Sequence, residues 1–102
     1  MIERIRQLLP RLEEMCRRHN VIRLEIFGSA TGSRFDPCTS DLDFLVEFGP
    51  FTAGGYSDHY FGLQEELERL FHRPIDLVVT KAVRNPYLLE SINRSRELLY
   101  AA

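Results

Sequence analysis

The sequence predicts an α+β (α/β) fold, a small mixed sheet flanked by helices, and three observations carry that expectation. Residues 21–27, 42–48 and 75–79 are short apolar or alternating runs bounded by Gly, Pro and Asn, the pattern of strands. Residues 2–19 and 58–72 instead repeat their apolar residues at steps of three and four, the period of an amphipathic helix. The 102 residues hold no internal repeat and no linker long enough to divide them, so these elements are expected to share one core as a single domain over 1–102.

In the first helix, Ile2, Ile5, Leu8, Leu9, Leu12, Met15 and Cys16 form the apolar stripe. Pro10 interrupts it, so the chain either kinks there or starts a helix whose first turn holds the proline. Asn20 is a natural stop. The strand at 21–27 ends abruptly at Gly28-Ser29. Small polar residues with Gly32 and Pro37 over 30–40 suit a turn with one or two helical turns inside it. The second strand follows at 42–48, with Asp41 just before it, and 49–56 reads as a loop because of Gly49-Pro50 and Gly54-Gly55. Ser57 is placed to cap the helix over 58–72, whose stripe is Phe61, Leu63, Leu67, Leu70 and Phe71, with Tyr60 also expected in the core. Pro74 opens the third strand. Asn85-Pro86 starts a last helix with Leu88, Leu89 and Ile92 turned inward, and Leu98, Leu99 and Tyr100 form either a short edge strand or a docked tail. Helix, strand, turn, strand, helix, strand, helix is the order of a two-layer sheet-and-helix sandwich.

Composition narrows the function. A net charge of −2 argues against gripping long nucleic acid, which calls for a basic excess. Twelve of the thirteen basic residues are Arg, whose planar fork suits phosphate, so local phosphate binding stays open. Cys16 and Cys38 are too far apart for a CxxC pair, and two free thiols fit a reducing cytoplasm. No apolar run approaches the roughly 20 residues of a membrane span, and the N-terminus lacks a signal-peptide core. The expected location is therefore cytoplasmic, without a membrane.

Three carboxylates are placed for chemistry. Asp41 and Asp43 stand two apart at a strand start, so their side chains project to one face. Paired hard oxygen ligands with room for water and phosphate are what Mg²⁺ prefers; the alternative is a solvated strand entrance. Asp76 sits second in an apolar strand, where a charge is costly unless paired or exposed at the strand end. If its strand lies beside the first pair, all three converge. Gly28-Ser29, directly after a strand, offers close backbone approach, free N–H groups and a hydroxyl, either as a phosphate cradle or as a plain turn.

Taken together, Phe27-Gly28-Ser29 and Ser40-Asp41-Leu42-Asp43-Phe44-Leu45-Val46 resemble the signature of the DNA polymerase beta-like nucleotidyltransferase superfamily. More closely, the chain resembles the minimal nucleotidyltransferases, the antitoxin halves of HEPN–nucleotidyltransferase toxin–antitoxin pairs. The likeness continues through residues 74–78, where Asp76 takes the place of the third carboxylate, and through the tail from Arg84 to Ala101. The chain departs from the family pattern in one stretch: Gly32 comes three residues after Ser29, Ser33 occupies the usual Gly position, and the run to Ser40 is one residue longer. Arg34 accordingly either meets the triphosphate or stands in solvent.

The resemblance implies a mechanism. Gly28, Ser29 and Arg34 would bind nucleotide, with Gly28 and Ser29 at the β- and γ-phosphates. Asp41, Asp43 and Asp76 would hold Mg²⁺ in a two-metal site and be the catalytic carboxylates, Asp76 orienting or deprotonating the acceptor. AMP from ATP would pass to a protein hydroxyl, a tyrosine of a cognate HEPN toxin. The alternative is a non-catalytic antitoxin that neutralises its partner by binding. An antibiotic-modifying enzyme is disfavoured, since so short a chain leaves no second domain for a small-molecule pocket. His19, His59 and His72 lack metal-ligand spacing. Tyr56 and His59 flank a loop that either closes over a nucleotide or merely connects, and Lys81 either reaches a phosphate or faces solvent.

Overall fold

Proline sets the first break. In the computed structural model, which describes residues 3–28, 41–50 and 55–102, the N-terminal stripe is two helices, α1 (Glu3–Gln7) and α2 (Leu9–Arg18). Of the two alternatives at Pro10, the helix whose first turn holds the proline is the one found, with α1 as a separate short helix before it. The ring of Pro10 cannot follow a continuous helical turn, so the chain restarts at Leu8–Leu9, and the proline occupies the first turn of α2, where its missing N–H is no loss. Ile5, Leu12, Met15 and Cys16 are buried, and burial pushes the Cys16 thiol up to about 12. Asn20 ends the segment in the left-handed region at φ 55°.

The strands are β1 (Val21–Phe27), β2 (Leu42–Phe48), β3 (Ile75–Val79) and β4 (Glu97–Ala101), in the spatial order β3-β2-β1-β4. β1 pairs antiparallel with both β2 and β4, whereas β2 and β3 run parallel. The C-terminal alternative is thereby resolved in favour of an edge strand. The crossover between the parallel strands is α3 (Tyr56–Phe71), and a 3₁₀ turn (Thr80–Ala82) leads from β3 towards α4 (Pro86–Ser95). The turn expected at 30–40 lies outside the described residues, as does the centre of the loop expected at 49–56.

Two expectations about α3 change. It starts at Tyr56 with Gly55 at the cap position and no side-chain cap hydrogen bond, so Ser57 lies inside the helix. The start is held by packing, with the Tyr56 ring 5.6 Å edge-on from Phe48. Leu63, Leu67 and Phe71 are buried and Tyr60 and Leu70 partly so, but Phe61 is 60% exposed. At 3.6 residues per turn it points about 200° away from Leu63, off the buried stripe. In α4, Asn85 caps the helix, its Oδ1 accepting from the amides of Tyr87 at 2.8 Å and Leu88 at 3.4 Å. Ile92 is fully buried, but Leu88 and Leu89 are exposed rather than turned inward. The reason is that α4 covers only a corner of the sheet, burying Ile92 against Phe27 and Leu45 with Val78 and Val83 alongside.

The two sheet faces therefore differ. Leu24, Ile26, Leu42, Phe44, Val46, Ile75 and Leu77 pack into the main core beneath α1, α2 and α3. Alternation sends Glu25 and Phe27, Asp43 and Leu45, and Asp76 and Val78 to the α4 face. That partly covered face carries the site.

Candidate functional site

Asp43 and Asp76 are each the second residue of their strand, and the parallel register pairs them directly, with Leu42 opposite Ile75. The Leu42 amide, donating to the Pro74 carbonyl at 3.3 Å, fixes this start. Asp41, two residues before Asp43, is exposed and Asp43 half-buried. Asp76 is exposed too, so its charge is not sunk among the apolar residues of β3. Register, rather than burial, makes it part of the site.

The electrostatics follow. Burial first, then the charge of Asp76 and that of Asp41, pushes the Asp43 carboxyl up from 3.8 to about 6. Two like charges bear on one half-buried carboxyl, an arrangement that a cation relieves. The hard-oxygen donor set suits Mg²⁺, which takes one or two carboxylates and completes its shell with phosphate oxygens and water. Among the described residues no group of three His, Cys, Asp or Glu is arranged to hold a metal ion by itself. The charge of Asp76 also helps burial raise the phenol of Tyr60, whose hydroxyl donates to the Leu77 carbonyl at 2.5 Å.

Gly28 closes the other side. Phe27 is the register partner of Asp43, and Gly28 follows with φ +78°, in the region that only glycine adopts freely. A Cβ there would stand 2.5 Å from Asp43 Oδ2, so the missing side chain is what lets the carboxylate lie against the turn. The Gly28 amide is not free as expected: it donates to Ser95 Oγ at 2.9 Å. Ser29 and Arg34 lie outside the described residues.

Other candidates are placed elsewhere. Lys81 lies in the 3₁₀ turn beyond β3, whose end is itself roughly 10 Å of strand past Asp76, and lines a 240 Å³ pocket with Glu47 and Tyr56. His19 and His59 are not scattered: their Nδ1 atoms lie 3.1 Å apart, and His19 Nε2 meets Glu66, which Arg18 also pairs at 2.6 Å. This cluster ties α2 to α3, the helices on the opposite face. His72 ends α3 in the left-handed region.

Sequence reasoning missed Glu25, which is 3% exposed. Arg96 grips it with two hydrogen bonds, Nε to Oε2 at 2.7 Å and Nη2 to Oε1 at 2.6 Å, and Arg23 Nε adds a third at 2.8 Å. The Arg96 hydrogen bonds, joined by Arg23, hold the Glu25 carboxyl down at about 2, and the Glu25 partner raises Arg96. A Glu between Leu24 and Ile26 reads as the solvent side of an alternating strand; only the buried charge itself demands an Arg, and spacing does not say which.

The family model of the nucleotidyltransferase domain matches residues 9–99. The chain belongs to the nucleotidyltransferase domain family. A Methanocaldococcus jannaschii protein, named as a candidate protein adenylyltransferase, is 32% identical over 101 residues, covering 90% of this chain and 96% of its own. A solved structure described as a candidate minimal nucleotidyltransferase is 31% identical, with a TM-score of 0.63, covering 91% of this chain and 93% of that one. A complex of an MNT antitoxin with the tri-AMPylated Shewanella oneidensis HEPN toxin contains a chain of the same fold, at a TM-score of 0.65 and 14% identity, covering 96% of this chain and 73% of that one. This nucleotidyltransferase is an enzyme that takes a nucleotide substrate. Among the described residues no helix is long and apolar enough to cross a membrane.

Proposed function

We propose that residues 1–102 work as one nucleotidyltransferase domain that moves AMP from ATP to a tyrosine hydroxyl of a HEPN-type toxin, acting as its antitoxin in the cytoplasm. The observation that carries the reading is the register of Asp43 on Asp76 with Gly28 packed against Asp43. The M. jannaschii relative's name and the AMPylated toxin in the similar complex supply the acceptor class.

The residues divide the work. Asp41, Asp43 and Asp76 would hold Mg²⁺, which when bound neutralises the triphosphate and the departing pyrophosphate. Gly28 shapes the turn, and Ser29 and Arg34 are assigned to the triphosphate. Asp76, exposed at the rim, orients the acceptor hydroxyl and takes its proton. The hydroxyl oxygen then bonds to the α-phosphorus in line as the α–β bridging bond breaks and pyrophosphate leaves.

The test is direct. With labelled ATP, Mg²⁺ and the partner protein, wild type labels the partner and silences it, while an Asp41→Asn/Asp43→Asn double variant does neither. If both proteins leave the partner unlabelled yet neutralise it equally, the enzyme reading fails. The second reading, a non-catalytic antitoxin that works by docking, would then stand. It is favoured by the apolar side chains that α4 leaves uncovered, Tyr87 being 81% exposed beside Leu88 and Leu89.

A further inference from the structure

We propose that Ser95, at the end of α4, is a positioning residue for nucleotide binding, acting through the backbone of Gly28; the inference rests on the nucleotidyltransferase reading above.

The placement of α4 is the starting point. Ile92, fully buried, packs against Phe27 and Leu45 with Val78 beside them. Each belongs to a different strand and stands next to a site residue: Phe27 precedes Gly28, Leu45 is two after Asp43, and Val78 is two after Asp76. One helical turn further on, Arg96 clamps Glu25, two residues before Phe27. The last turn of α4 is thus fixed to β1 by a buried side chain and by a doubly hydrogen-bonded ion pair. Ser95 lies between these anchors.

Its hydroxyl has one proton, which it donates to the Ser91 carbonyl at 3.2 Å. Only its lone pairs remain to face Gly28, and they accept the Gly28 amide at 2.9 Å. That bond sets the plane of the Phe27–Gly28 peptide. With φ at +78°, the plane in turn fixes how Gly28 turns out of β1. The Gly28 N–H is committed to the protein, so this residue contributes shape, and donors to a phosphate must come from beyond it. Ser95 touches no reacting atom; it holds the turn where Asp43 and the triphosphate must meet.

The experiment measures Mg–ATP affinity by titration, together with KM and kcat for ATP in transfer, for wild type, Ser95→Ala, Ser95→Thr and, as a control on the outer face of α4, Glu90→Ala. In Ser95→Ala the dissociation constant and KM for ATP rise about three- to tenfold, as the loss of one neutral hydrogen bond gives. Its kcat stays within twofold and its melting midpoint above the assay temperature. Ser95→Thr, which keeps the hydroxyl, and Glu90→Ala both match wild type. The proposal is overturned if Ser95→Ala binds ATP like wild type, or if either Ser95→Thr or Glu90→Ala is as impaired as Ser95→Ala. Should Ser95→Ala not fold, hydrogen exchange at the wild-type Gly28 amide decides, slow exchange supporting the bond and fast exchange overturning it. A wild type that neither binds Mg–ATP nor transfers AMP overturns the nucleotidyltransferase reading itself, an outcome distinct from all of these.

Discussion

Replacing Asp43 with Asn shows what its charge costs the fold, apart from the catalytic role proposed for it. The group titrates at about 6 rather than 3.8, through burial and then the charges of Asp76 and Asp41. An acid whose folded-state pKa is raised holds its proton more tightly folded than unfolded, so ionisation destabilises the fold. The cost is absent below pH 3.8, grows as pH rises, and is complete above about 6. The move from 3.8 to about 6 sets a ceiling of roughly 3 kcal/mol, and because Asp43 is only half-buried, screening reduces it to about 1–2 kcal/mol. Asn keeps the shape and removes the charge. Asp43→Asn is therefore expected to be about 1–2 kcal/mol more stable than wild type at pH 7.5 without Mg²⁺, roughly 5–10 °C in melting midpoint for a domain of this size. The gain should fade near pH 4, where the wild-type group is itself neutral. Thermal and urea denaturation over a pH series, in chelator, would measure it. A variant no more stable than wild type at pH 7.5, or one whose advantage persists at pH 4, would refute the reasoning.

Two further outcomes follow from the same geometry. Gly28→Ala meets both a φ of +78° and a Cβ site 2.5 Å from Asp43 Oδ2, so it should lose about 1–3 kcal/mol and most of its AMP transfer, read by urea denaturation and by label incorporation. Arg96→Met leaves the buried Glu25 with Arg23 alone and should cost about 2–4 kcal/mol at pH 7. The folded pKa of Glu25 is depressed to about 2 from 4.5, so the stability it lends wild type is complete above pH 4.5 and is lost as pH falls towards 2. Denaturation at pH 7 and pH 3 should accordingly show the gap between wild type and Arg96→Met shrinking in acid.

Much of the fold was legible because β1, β2 and β3 have patterns a single residue period explains. The face that Asp43 occupies was legible for the same reason, but its pairing with Asp76 was not, because that depends on the parallel register of β2 and β3. What the sequence could not supply was depth and partnership. Leu88 and Leu89 carry the helical period yet stay exposed, because a period says that a face is apolar and not how much sheet lies beneath it, while Phe61 falls off the stripe of Leu63, Leu67 and Phe71. Ser57 looks like a cap, but the Tyr56–Phe48 contact starts α3 without one. Ser95 and Arg96 look like ordinary helix-end residues. Their roles rest on contacts with Gly28 and Glu25, 67 and 71 residues away in the chain.

The parallel pairing of Asp43 with Asp76 has a consequence for how the protein assembles. Side chains alternate strictly along a strand, so a β3 seated one residue out of step would turn Asp76 into the apolar layer beneath α3 and expose Ile75 and Leu77 to water. A lone ionised carboxylate in that layer is far too costly to persist. Asp76, to which a catalytic role is proposed, would therefore also bar the misaligned sheet during assembly. An Asp76→Leu chain would forfeit this safeguard along with its chemistry, and could settle into either alignment.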